Sequence, residues 1–133
     1  MFELKKITNA GCNIPEFVSL PFAEGADVIK GCALVLKDGT LVHAKTGETP
    51  THISATNGIS QKSGEILSYK ITSEMVFDVP VNGDFNFPSD ERYAVVSDGK
   101  HAVCIEKNDR GNAVIVGISD TGRKNKVSIQ FNI

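Results

Sequence analysis

Apolar and polar residues alternate along much of this chain, and no segment sustains an apolar repeat of 3.6 residues. Side chains on a strand point to opposite faces with period two, so this pattern predicts strands and little helix. In "KVSIQFNI", Val127, Ile129, Phe131 and Ile133 share one face, while Ser128, Gln130 and Asn132 share the other, which predicts one buried and one wet face. "EMVFDVPV" places Met75, Phe77, Val79 and Val81 together, and "EILSYKI" does the same for Leu67, Tyr69 and Ile71. In "AVIVGIS", Val114, Val116 and Ile118 oppose Ile115, which predicts a strand covered on both sides. Pro80 lacks the N–H a ladder needs, so its strand is expected to be an edge or to end there.

Turns divide these strands. Asp38-Gly39 and Asp98-Gly99 each stand between apolar runs, and Asp-Gly supplies the positive φ that tight hairpins require. "SATNGISQKSG" is a polar loop, and "FPSDERY" is expected to hold one helical turn capped by Ser89. Residues 1–25 read differently. The alternation of "FELKKI" breaks at Lys5-Lys6, and Pro15 and Pro21 punctuate an extended apolar stretch. Proline discourages a central strand, so the segment is expected to be an extended arm, docked on its own domain or on a neighbouring subunit.

The expected fold class is therefore all-β: a small barrel or sandwich of short antiparallel strands and hairpins, with the arm over 1–25 and a single domain over 26–133. Segments 33–71 and 94–133 run alike: strand, Asp-Gly turn, strand, polar turn, a strand ending Ile-Ser, then a loop and a fourth strand. Duplication and the generic likeness of hairpins both account for that. Either way, two units with one apolar face each can bury those faces together.

Composition narrows the function more than the fold. The chain has 133 residues, 41% of them hydrophobic, and a net charge of −2, which suits one ordinary core. Its lysines and arginines are scattered, and Arg123, Lys124 and Lys126 read as a solvated turn, so no nucleic-acid partner is expected. No apolar run reaches the about 18 residues of a spanning helix, and "MFELKKITNAGCN" lacks an apolar signal core. No membrane partner is expected, and synthesis in the cytoplasm is. Cys12, Cys32 and Cys104 are odd in number and far apart, as reduced thiols are.

Reactive groups do not gather along the sequence. His43, His52 and His101 are the only histidines, and no C-x-x-C, H-x-x-x-H or H-E-x-x-H accompanies them. Zinc would need about four converging ligands, so no metal site is expected. Cys104 lies three positions after His101, which sets them on opposite faces of a strand. The acids sit mostly in turns, and phosphate-binding glycine loops are missing. No catalytic residue and no cofactor is expected, and the chain is expected not to be an enzyme.

Three segments resemble the head-decoration, or cement, proteins of tailed bacteriophages: "DVIKGCALVLKDGTLVHAKTG", "PTHISAT", and the C-terminal run from "DGKHAVCIEK" to "VSIQFNI". With their surroundings they cover 26–71 and 93–133, about two thirds of the chain. "EMVFDVPVNGDFNFPSDE", within 74–92, has no counterpart. The resemblance implies a structural virion protein, a homotrimer or homodimer, made in the host cytoplasm. It would bind the major capsid protein on the capsid exterior and bridge capsomers. The arm is the expected contact, through Phe2, Leu4, Ile14, Phe17, Leu20 and Phe22. The alternatives are a structural β module of a tail, fibre or surface assembly, and a β-barrel that binds a small ligand or glycan.

Overall fold

The structure, a computed structural model, describes residues 1–8, 14–23, 27–59, 64–119 and 125–133. It is all-β, and no helix occurs among the described residues. The strands are β1 (Glu3–Ile7), β2 (Phe17–Pro21), β3 (Ala33–Lys37), β4 (Thr40–His43), β5 (His52–Ser54), β6 (Glu65–Lys70), β7 (Met75–Asn82), β8 (Tyr93–Ser97), β9 (Ala102–Lys107), β10 (Ala113–Ile118) and β11 (Lys126–Phe131).

They form two sheets. One runs β2-β6-β5-β3-β4, and the other runs β1-β7-β11-β10-β8-β9. In the second sheet β9 returns to β7 in parallel, through Val81↔Ile105 and Asn82↔Glu106, and closes a five-stranded barrel. The first sheet has the same order: its leading strand β2 corresponds to β7, followed by β6-β5-β3-β4 for β11-β10-β8-β9. A parallel bridge, Phe22↔Leu41, sits where the barrel has its closing pair. The two segments that read alike in sequence thus form β3–β6 and β8–β11, each preceded by one further strand. Segment 74–92, without a counterpart in the resemblance, supplies β7, which pairs with β1, β11 and β9.

Tight turns explain the hairpins. Asp38 and Gly39 have φ of 52° and 80°, and Lys37 faces Thr40 across the pair they join. The second turn is wider. Gly99 has φ of 100°, and Asp98 Oδ1 accepts the N–H groups of Lys100 and His101.

Burial follows the two-sheet layout. A main core holds Phe2, Phe77 and Phe131 with Met75, Val79, Val81, Ile105 and Ile129, and takes Ala33, Ile53, Tyr69 and Ile71 from the other sheet. A second cluster joins Phe22, Val28, Cys32, Leu34, Leu41 and Ile66. β3 therefore buries both faces, Ala33 and Val35 one way and Leu34 the other, which is why "ALV" shows no alternation.

Several expectations are corrected. β10 is not covered on both sides: Val116 and Ile118 are exposed, while Ala113 and Ile115 are buried. A bulge between Ile115 and Gly117 inserts Val116 as an extra residue, so the expected parity does not hold across it. On β11, Ser128 is buried and donates to Asp78 Oδ1 at 2.6 Å, whereas Ile133 lies beyond the strand and is exposed. Leu67 is likewise exposed, unlike Tyr69 and Ile71. β7 continues past Pro80. Val81 N–H donates to Asn125 O, on the β11 side, and successive N–H groups of a strand point to opposite edges. Pro80 therefore faces the gap where β1 has ended, at Asp78, and β9 has not begun, at Val81. "FPSDERY" forms no helical turn; Ser89 Oγ donates to Asn86 O in a local turn instead.

The N-terminal segment is extended, as expected, but it is not separate from the domain. β1 pairs with β7 and β2 with β6. The break at Lys5-Lys6 is a bulge: Leu4 faces Phe77, Lys6 faces Val76, and Lys5 is the extra residue. Lys126 Nζ, on β11, reaches Glu3 Oε2 at 2.9 Å and ties β1 down across β7.

Candidate functional site

The N-terminal segment frames a cavity of about 500 Å³. Phe2 N–H donates to Gly31 O at 2.8 Å, and Gly31 N–H donates to Ser54 O at 2.9 Å, so the chain start is hung on the turn before β3. Gly31 has φ of +82°, and a Cβ there would lie 2.7 Å from Met1 Cβ. Only glycine fits both constraints. Ile14, Pro15 and Phe17, leading into β2, form the facing wall, and Tyr69 and Ala55 form part of the lining. Phe17 packs edge-on against Tyr69, with ring centroids 6.1 Å apart. Burial raises the Tyr69 pKa, so its hydroxyl stays protonated and is no base. Lys30 and Glu3 bring charge to an otherwise apolar lining.

Four of the six expected contact residues, Phe2, Leu4, Ile14 and Phe17, line this cavity. They differ in access. Ile14 is 70% and Phe17 47% exposed, whereas Phe2 is only 2% exposed and belongs to the main core. Leu4 is partly buried against that core, Leu20 is partly buried against the second cluster, and Phe22 is buried within it. Phe2 and Phe22 are thus closed to a partner, because their rings complete the chain's own core. The rim residue Met1 and the lining residue Tyr69 were not anticipated. Nothing in a period-two pattern marks a residue that meets the chain start across two sheets.

A second cluster draws together residues far apart in sequence. His43 and His101 lie with ring centroids 5.0 Å apart, near perpendicular. Both donate from Nε2 to one acceptor, the Asp27 carbonyl oxygen, at 2.6 and 3.2 Å. Phe22 stands edge-on to His43, and Cys32 Sγ is 4.0 Å from His43 Nδ1. Desolvation lowers the His43 pKa, and burial pushes the Cys32 thiol up to about 11. A thiol so raised is a poor nucleophile. Cys104 also has a raised pKa, again from burial. His52 stands elsewhere, on β5, with Nδ1 2.9 Å from Thr51 Oγ1. Cys12 lies outside the described residues. Among the described residues, no group of three or more His, Cys, Asp or Glu side chains is placed to hold a metal ion.

The fold defines a chain of two similarly ordered β units, one an open five-stranded sheet and the other a five-stranded barrel closed by the parallel β7–β9 pair and extended by β1, with a largely apolar cavity at the N-terminal edge. No protein family, curated protein or solved structure matches it.

Proposed function

We propose that this chain is a non-catalytic structural virion protein that binds the outer surface of a tailed-phage capsid and bridges capsomers, acting as a homotrimer or homodimer. The resemblance of its hairpin segments to head-decoration proteins supports this reading. The observation that carries it is the exposed apolar pair Ile14 and Phe17 at the mouth of the N-terminal cavity. Fully burying such side chains is worth about 1.5–3 kcal/mol each. One copy gains a modest contact, and a symmetric lattice repeats it.

The contact narrows from the whole segment to its exposed rim, because β1 and Phe2 hold the fold together. Removing residues 2–24 would unfold the domain, so the test uses point changes. The unmodified chain should co-sediment with heads assembled from the major capsid protein of the same phage. Ile14→Asp, at a side chain 70% exposed, should weaken this sharply while leaving the melting temperature nearly unchanged, and Phe17→Asp should do the same with some loss of stability, because it also gives up the edge contact with Tyr69. Failure of the unmodified chain to bind such heads would end the proposal.

The cavity also favours a second reading, a small apolar ligand held between the N-terminal segment and β6. Its volume lies within the usual range for ligand sites, roughly 300–1,000 Å³. Saturable binding of an apolar fluorescent probe, blocked by Ala55→Trp, would support that reading over the first.

A further inference from the structure

We propose that the Tyr69 hydroxyl is the polar anchor of the N-terminal cavity, and that the molecule taken there is neutral and apolar with one carbonyl-type hydrogen-bond acceptor. This rests on the reading of the cavity as a small-ligand site. Tyr69 lies on β6 and lines the cavity beside Phe17. Its ring is fixed from two sides, edge-on by Phe17 and face to face by Phe77, with centroids 6.4 Å and planes 10° apart in the second pair. A buried tyrosine hydroxyl ordinarily finds a partner. Tyr93, the other tyrosine of the chain, donates to Glu91 Oε2 at 3.3 Å. Tyr69 is only 6% exposed, yet its hydroxyl has no hydrogen-bond partner among the described residues. Nor is that hydroxyl sealed in protein, since the enclosed side-chain polar atom without a partner is Ser68 Oγ. The space left to it is the cavity its own residue lines.

Other polar groups of the lining are engaged. Ser54 Oγ donates to Thr56 O, and Ser54 O accepts the Gly31 N–H. Glu3 is held by Lys126. Lys30 gives its backbone N–H to Asn57 Oδ1 and is exposed, where salt and water screen its charge. A full charge on the ligand would therefore lose its hydration without gaining a buried counter-charge, which is costly. A carbonyl oxygen instead supplies the acceptor that the hydroxyl lacks. Burial keeps the Tyr69 hydroxyl protonated, so it serves as the donor. A fixed donor left unpaired by a ligand without an acceptor discriminates against that ligand.

The test uses the full chain, Nile red as the apolar fluorescent probe, and three competitors. Acetylnaphthalene carries the carbonyl, ethylnaphthalene has nearly the same shape without it, and naphthoate carries a charge. Acetylnaphthalene should displace the probe about five- to tenfold more effectively than ethylnaphthalene, the effect of one buried hydrogen bond. Naphthoate should compete more weakly than the ketone. Tyr69→Phe keeps the ring and its packing. It should bind the probe as before, leave the melting temperature unchanged, and lose the preference for acetylnaphthalene over ethylnaphthalene. If Nile red does not bind the unmodified chain, or binds equally well to Ala55→Trp, the small-ligand reading fails and this proposal falls with it. If Nile red binds as that reading requires, any of four results overturns the proposal alone: equal competition by ketone and hydrocarbon, a preference that survives Tyr69→Phe, naphthoate as the strongest competitor, or a clear loss of stability in Tyr69→Phe.

Discussion

The ring of Phe2 stands edge-on to the ring of Phe77, at 90° with centroids 6.2 Å apart, and 6.0 Å from Phe131. The second residue of the chain is thus part of the packing that holds β7 to β11. A residue in that position cannot be a detachable arm. We predict that Phe2→Ala costs about 3–5 kcal/mol, the usual range for emptying a buried phenylalanine site. Urea unfolding should show a lower midpoint with an unchanged slope. A change within a few tenths of a kcal/mol would mean that β1 is not part of the cooperative unit.

Gly111 marks where the barrel is narrowest in hydrogen bonding. β8 and β10 pair only through Ala113↔Tyr93, and a Cβ on Gly111 would lie 2.0 Å from Tyr93 O. Beyond that pair the loop over 45–50 takes over: Gly47 N–H donates to Val95 O, and Ser97 N–H donates to Thr46 Oγ1. Gly111→Ala must push the backbone apart, with an expected cost of about 3 kcal/mol or more, the upper end of overpacking effects. Gly39→Ala meets open space and pays only for its φ of +80°, about 1 kcal/mol. Thermal unfolding of both variants checks the order; equal losses would refute it.

Ser68 is fully buried on β6, and its Oγ has no hydrogen-bond partner among the described residues. Ser54, opposite it on β5, gives its hydroxyl to Thr56 O instead. An unsatisfied buried hydroxyl costs about 1–3 kcal/mol, whereas a methyl of similar shape carries no such penalty. Ser68→Ala is therefore expected to be neutral or to stabilise by about 1 kcal/mol. A clear loss in chemical denaturation would show that the hydroxyl has a partner after all.

His52 is buried, and its pKa is lowered from 6.5, first by desolvation and then by the Lys70 charge. Above pH 6.5 the ring is neutral both folded and unfolded, and its full contribution is present. As pH falls below that value the unfolded chain takes up a proton that the folded chain refuses, so stability drops until the lowered folded pKa is passed. His52→Gln should flatten this acid-side slope in stability measured across pH. An unchanged slope would assign it to other groups.

Much of the fold was legible because its causes are local. The turn at Asp38-Gly39 could be read because few residues accept two positive φ angles in succession. The buried face of β7 could be read because Met75, Phe77, Val79 and Val81 keep strict parity with no bulge among them. β1 and β10 could not be read so far, since a bulge at Lys5 and another at Val116 shift parity, and a bulge depends on the partner strand. The candidate contact was half legible. Ile14 and Phe17 are exposed as a contact requires, while Phe2 and Phe22 have the same apolar character and are buried.

By itself the sequence determined the strand content, the hairpins and the likeness of its two halves, since period-two patterning and turn chemistry act over a few residues. Tertiary structure alone decided which apolar side chains remain on the surface, how the N-terminal segment docks, and that His43 and His101 meet at one carbonyl. Those outcomes depend on which strands lie side by side after closure, and contacts between residues dozens of positions apart leave no trace in local periodicity.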